Sequence, residues 1–217
     1  MTIGILPASG SASRVRGIPK FCLPISESQS ILEWHVEKML EVCDEVRVST
    51  RSIWSPIVEN LDLPIKLYLI EPSTMSDAVF KMAKDIDEKF IVGMPDTFIA
   101  HTSENFYKKI VESENDIQLA SFKCTDDVLG RVGQINYEGD EVIEVVDKTP
   151  GCTFDRMWGM IAFNINAYEI DISLSHPGLQ LNTFIESGKK VGHSKCEGEY
   201  IDIGKFSGIR ELYRNIE

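Results

Sequence analysis

The densest concentration of chemically useful residues lies near the N-terminus. Leu6-Pro7-Ala8-Ser9-Gly10-Ser11-Ala12-Ser13-Arg14 leaves an apolar run as a string of small residues. Side chains this small let backbone N–H groups approach a ligand closely, the way anion-binding loops are built. Residues 1–26 contain no Asp or Glu yet carry Arg14, Arg16 and Lys20. Such a cationic patch could steer a small polyanion such as a triphosphate, although taken alone the same residues also fit a solvated loop. The loop is not a Walker loop, because it lacks the Gly-Lys-Ser/Thr ending. With only Gly10 and Gly17 available it does not fit the dinucleotide pattern either, and by itself it also fits a plain strand-to-helix turn.

Placing these residues requires a scaffold, and hydrophobic periodicity outlines one. Short apolar runs at 2–6, 45–49, 65–70 and 89–94 read as strands. Between the first two, Ile31, Leu32, His35, Val36, Met39, Leu40 and Cys43 recur at helical spacing, with Ser28 or Ser30 available as a cap. A second helix is expected near Thr74, where Asp77 three residues on suggests a capping arrangement, and a third over 103–114. The pattern then turns strand-rich (117–122, 130–137, 141–146 and 158–163) and closes with helix 182–188, strand 200–203 and helix 206–215. His35 and Trp34, on an apolar helix face, read as packing residues.

Strands alternating with helices predict an α/β fold: a three-layer α/β/α sandwich around a mostly parallel, mixed central sheet, Rossmann-like in its core. In open sheets of this kind ligands bind at the carboxyl ends of the strands, which should bring 7–20, 71–77 and 95–97 to one rim. No repeat, low-complexity tract or linker breaks the chain, so residues 1–217 are expected to form one domain.

Composition narrows the partners. Lys plus Arg total 22 against 34 Asp plus Glu, a net charge of -12 that disfavours nucleic acid and anionic lipid. Five widely spaced cysteines lack zinc-site spacing and read as reduced thiols, mostly core. The apolar stretch at 3–7 is too short for a signal peptide, and no run of about 18 apolar residues occurs. The expected location is cytoplasmic, and the oligomeric state is left open, a homo-oligomer included.

Several motifs together resemble one family. Pro7 to Arg14 as quoted above, then Pro19-Lys20 and Leu23-Pro24-Ile25, is similar to the opening of the sugar-phosphate nucleotidyltransferases. In the family's order follow Ile31-Leu32-Glu33-Trp34-His35, Ser76-Asp77-Ala78-Val79 and Pro95-Asp96-Thr97. Gly130-Arg131-Val132-Gly133 through Val146-Asp147-Lys148-Thr149-Pro150, Trp158-Gly159-Met160-Ile161-Ala162-Phe163-Asn164 and Tyr200-Ile201-Asp202-Ile203-Gly204 complete the series. The resemblance spans nearly the whole chain, and agreement in order weighs more than any single motif.

The resemblance implies an enzyme that joins a nucleoside triphosphate to a phosphorylated small molecule, a sugar 1-phosphate first, giving a nucleotide sugar and pyrophosphate. It implies catalytic roles for Arg14, Lys20 and Asp96, with Mg²⁺ held by Asp96 and Asp202. Pro7, Ala8, Ser9, Gly10, Ser11, Ala12, Ser13, Arg14, Lys20, Thr74 and Asp77 would bind the nucleotide; Asp147, Lys148 and Gly159 would bind the acceptor. Three residues depart from the family pattern: Ala12 and Thr74 replace glycines, and Asp147 replaces a glutamate. The rival readings are a cytidylyltransferase for a non-sugar phosphate or phosphonate, and a catalytically degenerate nucleotide-binding module. A glycosyltransferase is disfavoured, because Asp96-Thr97-Phe98 lacks its second aspartate.

Overall fold

The computed structural model describes residues 1–126 and 128–216, so Asp127 and Glu217 of the expected 1–217 domain lie outside the described residues. Eleven strands form: β1 (Ile3–Pro7), β2 (Glu45–Thr50), β3 (Lys66–Leu69), β4 (Phe90–Val92), β5 (Thr97–Ala100), β6 (Ile117–Lys123), β7 (Gly133–Glu138), β8 (Glu141–Asp147), β9 (Arg156–Phe163), β10 (Val191–Lys195) and β11 (Glu199–Asp202). The helices are α1 (Ile31–Leu40), α2 (Ser55–Glu59), α3 (Met75–Ala83), α4 (Phe106–Val111), α5 (Leu181–Glu186) and α6 (Phe206–Asn215). Nine strands make one mixed sheet in the order β3-β2-β1-β4-β9-β6-β10-β8-β7, while β5 and β11 pair separately. The four strands β3, β2, β1 and β4 run parallel, as do β6 and β10; β9 pairs antiparallel with both β4 and β6 and so ties the two parallel groups together.

The first strand shows why the sheet needs covering on both faces. Ile3 and Ile5 belong to one buried cluster with Val79 and Met82 of α3, whereas Leu6 joins Leu32, Val36 and Met39 of α1 in another. Gly4 lets α1 approach closely, since a Cβ there would lie 2.8 Å from the Met39 sulfur. Local capping matches the sequence: Ser30 and Glu33 form a reciprocal capping box on α1, and the Asp77 N–H donates to Thr74 Oγ1 at 2.9 Å to start α3. Two strands, β5 and β10, escaped the periodicity reading. Val191-Gly192-His193-Ser194-Lys195 has little strand character of its own and is held by parallel pairing along β6. The strand expected from 130 starts at Gly133, because Gly130 takes φ 68° in the preceding turn. All five cysteines are free, and Cys43 and Cys196 are buried. Among the described residues no helix is long and apolar enough to cross a membrane.

His35 is a packing residue with a positioning consequence. Its Nε2 lies 2.9 Å from the Thr97 carbonyl, which can only accept, so Nε2 carries the proton and Nδ1 accepts from the Tyr107 hydroxyl at 2.7 Å. The bridge fixes the start of β5, immediately after Asp96, against α1 and α4. Burial pushes the imidazole down to about 4. The unfolded chain takes up this proton below a pKa of roughly 6.5 and the folded chain only near 4, so stability falls as pH drops through that window, by about 3 kcal/mol for this group. Urea titrations between pH 7 and 5 should show the loss, and His35→Gln should flatten it; equal slopes in both proteins would remove His35 as its source.

Candidate active site

The carboxyl ends of β1, β2 and β4 open into a cavity of about 600 Å³, a size suited to a small-molecule ligand. The segments 7–15, 19–21, 72–75 and 94–96 line it, joined by Lys148, Ser175, His176 and Gly204. Of the residues singled out by sequence, Pro7 through Arg14, Lys20, Thr74, Asp96 and Lys148 meet here. Asp77, Asp147, Gly159 and Asp202 do not line the cavity.

Each wall has a local cause. The small-residue loop is pinned to β2: the Ala8 N–H donates to the Ser49 carbonyl at 3.0 Å, the Ser9 and Ser49 hydroxyls lie 3.1 Å apart, and Arg51 Nε donates to the Ser9 carbonyl at 2.9 Å. Ala12 sits in the left-handed region at φ 51°, and its carbonyl accepts from the N–H groups of Val15 and Gly17, both at 3.0 Å. This turn carries Arg14 to the cavity while buried Val15 anchors it. A Cβ in that conformation costs roughly 1 kcal/mol. Ala12→Gly should therefore stabilise the fold by at most about 0.6 kcal/mol once the extra chain entropy of glycine is subtracted, raising the urea midpoint slightly, and Ala12→Val should lower it. A lower midpoint for the glycine variant would show that the strain is smaller than that entropy cost.

Lys20 Nζ forms an ion pair with Asp96 Oδ2 across the cavity. The Asp96 carbonyl accepts from the Ile203 N–H at 3.0 Å, and Asp202 pairs in register with Thr97, so both carboxylates stand at one end of the β5–β11 ribbon. Asp202 Oδ1 also accepts from the Gly204 N–H at 2.7 Å. Among the described residues no cluster of three or more His, Cys, Asp or Glu is arranged to hold a metal. Asp96 and Asp202 are nevertheless oxygen donors of the hard type that Mg²⁺ takes, an ion that completes its shell with water and phosphate.

Lys148, also a lining residue, is held at φ 48° after β8. Its Nζ and the His176 Nε2 each lie 3.8 Å from Asp147 Oδ2. His176, then Lys148, hold the Asp147 carboxyl below its usual range against the opposing effect of desolvation. Asp77 has a structural task. Desolvation pushes its pKa up, but hydrogen bonds from Lys81 at 2.8 Å and the Ser73 N–H at 2.9 Å prevail and hold it down. Gly159 makes room for protein: a Cβ there would lie 2.8 Å from the rings of both Phe122 and Tyr200. Sequence reading missed Arg51, Trp54 and His176 as cavity residues. The rim argument covered Arg51 and Trp54 in principle, since they follow β2 directly; nothing in the sequence marked His176.

No protein-family model matches the chain, and no curated protein matches it in sequence. Solved structures do share its fold. A Bacillus anthracis protein described as a glucose-1-phosphate thymidylyltransferase superposes with a TM-score of 0.80 at 14% identity, covering 99% of this chain and 94% of that one. The inositol-1-phosphate CTP transferase of T. maritima gives 0.76 at 14% identity, over 100% and 96%. A UDP-glucose pyrophosphorylase complexed with UDP-glucose gives 0.77 at 16% identity, over 99% and 97%. The chain thus has the Rossmann-like fold of the sugar-phosphate nucleotidyltransferases.

Proposed function

We propose that the chain is a Mg²⁺-dependent nucleotidyltransferase that transfers a nucleoside monophosphate from a nucleoside triphosphate to a sugar 1-phosphate. One observation carries this reading: a single cavity is lined by a loop of small residues, by Arg14 and by Lys20 paired with Asp96, and also by a separate cation, Lys148, from a distant part of the chain. Two anionic substrates need two cationic stations. Of the substrates named for the fold neighbours, glucose 1-phosphate supports a sugar acceptor, whereas inositol 1-phosphate, used by a CTP transferase, fits the non-sugar alternative.

An oxygen of the acceptor phosphate attacks the α-phosphorus, a new P–O bond forms, the α–β bridging bond breaks, and pyrophosphate leaves with the bonding electrons. The attacking oxygen is already anionic, so the reaction asks for alignment and charge neutralisation rather than a general base. The loop N–H groups orient the triphosphate; Arg14, with its planar fork, and Lys20, as a point charge, take the charge that builds on the departing pyrophosphate. Lys148 holds the acceptor phosphate. Asp96 and Asp202 would hold Mg²⁺, which would supply further charge neutralisation.

The test is pyrophosphate release with Mg²⁺, four ribonucleoside triphosphates plus dTTP, and a panel of sugar and non-sugar phosphates. Release specific to one triphosphate and one sugar 1-phosphate supports the reading. Release confined to a non-sugar phosphate or phosphonate replaces it with the cytidylyltransferase-like alternative, and nucleotide binding without any release replaces it with a degenerate binding module.

A further inference from the structure

His176 is the cavity residue whose chemistry the scheme above leaves unused. Its side chain is 17% exposed, and its Nδ1 is buried with no hydrogen-bond partner among the described residues. The ring packs against Trp158 with centroids 5.6 Å apart. Its Nε2 faces Asp147 Oδ2 at 3.8 Å, an ion-pair separation beyond hydrogen-bond reach. Nδ1 is enclosed by protein, so Nε2 is the ring nitrogen that a molecule in the cavity can reach, and there it has no full hydrogen bond.

The position of its segment is equally specific. The Ser175 carbonyl accepts from the Met75 N–H at 3.0 Å, and Thr74 Oγ1 donates to the Ile172 carbonyl at 2.7 Å. The segment carrying His176 is therefore stitched to the nucleotide-side start of α3, while the imidazole faces the Asp147–Lys148 wall. It stands at the seam between the two proposed subsites.

We propose that His176 Nε2 and Asp147 Oδ2 together grip one hydroxyl of the acceptor, making His176 a specificity-determining residue for polyhydroxylated phosphates. The inference rests on the proposed reading that this cavity takes a phosphorylated acceptor beside a nucleotide. Asp147 is not itself part of the cavity lining, but its side chain is 23% exposed beside His176, and two atoms 3.8 Å apart can each lie about 2.8 Å from one bridging hydroxyl oxygen. That hydroxyl accepts from the imidazole N–H and donates to the carboxylate, while Lys148 takes the phosphate of the same molecule. Phosphocholine has no hydroxyl to bridge the two groups, so it gains nothing at this position, whereas a polyol phosphate does.

The experiment measures KM separately for nucleotide and acceptor in the wild type and in His176→Ala, His176→Gln and His176→Asn. In parallel, isothermal titration and the imidazole NMR signals of His176 follow binding of hexose and heptose 1-phosphates, with phosphocholine as control. The expected result is an acceptor KM raised about tenfold or more in the alanine variant, an unchanged nucleotide KM, and recovery by glutamine, whose amide reaches the Nε2 position, but not by asparagine. Acceptor analogues lacking one hydroxyl should lose affinity in the wild type and lose nothing further in His176→Ala. An unchanged acceptor KM in His176→Ala, or an equal loss for both substrates, overturns the inference while leaving the transferase reading intact. Sugar phosphate binding that moves the His176 signals without turnover does the reverse. Binding of phosphocholine in preference to every sugar phosphate overturns both.

Discussion

Asp96→Asn should reduce pyrophosphate release by about 10³-fold or more while leaving the fold in place. The expectation follows from where the side chain stands. Asp96 ends the connection between β4 and β5, immediately before Thr97; its carbonyl is tied to Ile203, and it lines the cavity with its carboxylate paired to Lys20. An amide keeps the shape but removes the charge that both Lys20 and a divalent cation need. Removing one preorganised electrostatic partner of a phosphoryl-type transition state typically costs 10²–10³ in rate, and loss of a metal site costs more. Far-ultraviolet circular dichroism and the urea midpoint should stay close to wild type, because the Asp96 side chain is only half-buried and exposed ion pairs contribute little. A variant that retains more than about a tenth of wild-type turnover at saturating Mg²⁺ removes Asp96 from the proposed machinery.

The outcome also bears on what a sequence can disclose. The loop 7–14, the Thr74–Asp77 cap and Asp96 were legible because each is a local event at a strand end, where residue type alone signals tight backbone, helix start or turn. Ala12 was marked by another route, through the family resemblance, as an alanine standing where that pattern has a glycine, and in the structure it takes φ 51°. Gly159 was misleading. A glycine reads as space, and only the packed structure shows that Phe122 and Tyr200 occupy it. Strand β10 and His176 were invisible because their conformations are imposed from outside, the first by the ladder along β6 and the second by hydrogen bonds to the start of α3. Arg51 illustrates an intermediate case. Its place one residue past β2 was implied by the topology, yet its hydrogen bond to the Ser9 carbonyl depends on β1 and β2 being parallel neighbours.

The second large effect concerns Lys20, for which two measurements should move in opposite directions. In the structure Lys20 is paired with Asp96, half-buried, on a short turn (Lys20–Cys22) whose Phe21 is buried and sets the backbone. The proposed chemistry needs the same ammonium on the triphosphate, so binding nucleotide with its metal must draw Lys20 away from the carboxylate. Lys20→Met keeps the length and apolar stem of the side chain and deletes the charge. Turnover should fall by about 10²–10³-fold, the usual cost of losing one fixed donor to a developing anion. Binding of Mn²⁺ in the absence of nucleotide, followed by electron paramagnetic resonance, should instead tighten, because Asp96 loses the cation that competes for its oxygens. Lys20→Arg should not restore turnover, since a planar fork on a longer stem cannot reproduce a point charge at that position. If turnover collapses while Mn²⁺ binding weakens, Lys20 supports the carboxylates structurally, and the exchange between carboxylate and phosphate is wrong. If both stay unchanged, Lys20 has no part in the reaction and the cationic role beside the loop falls to Arg14 and Arg51.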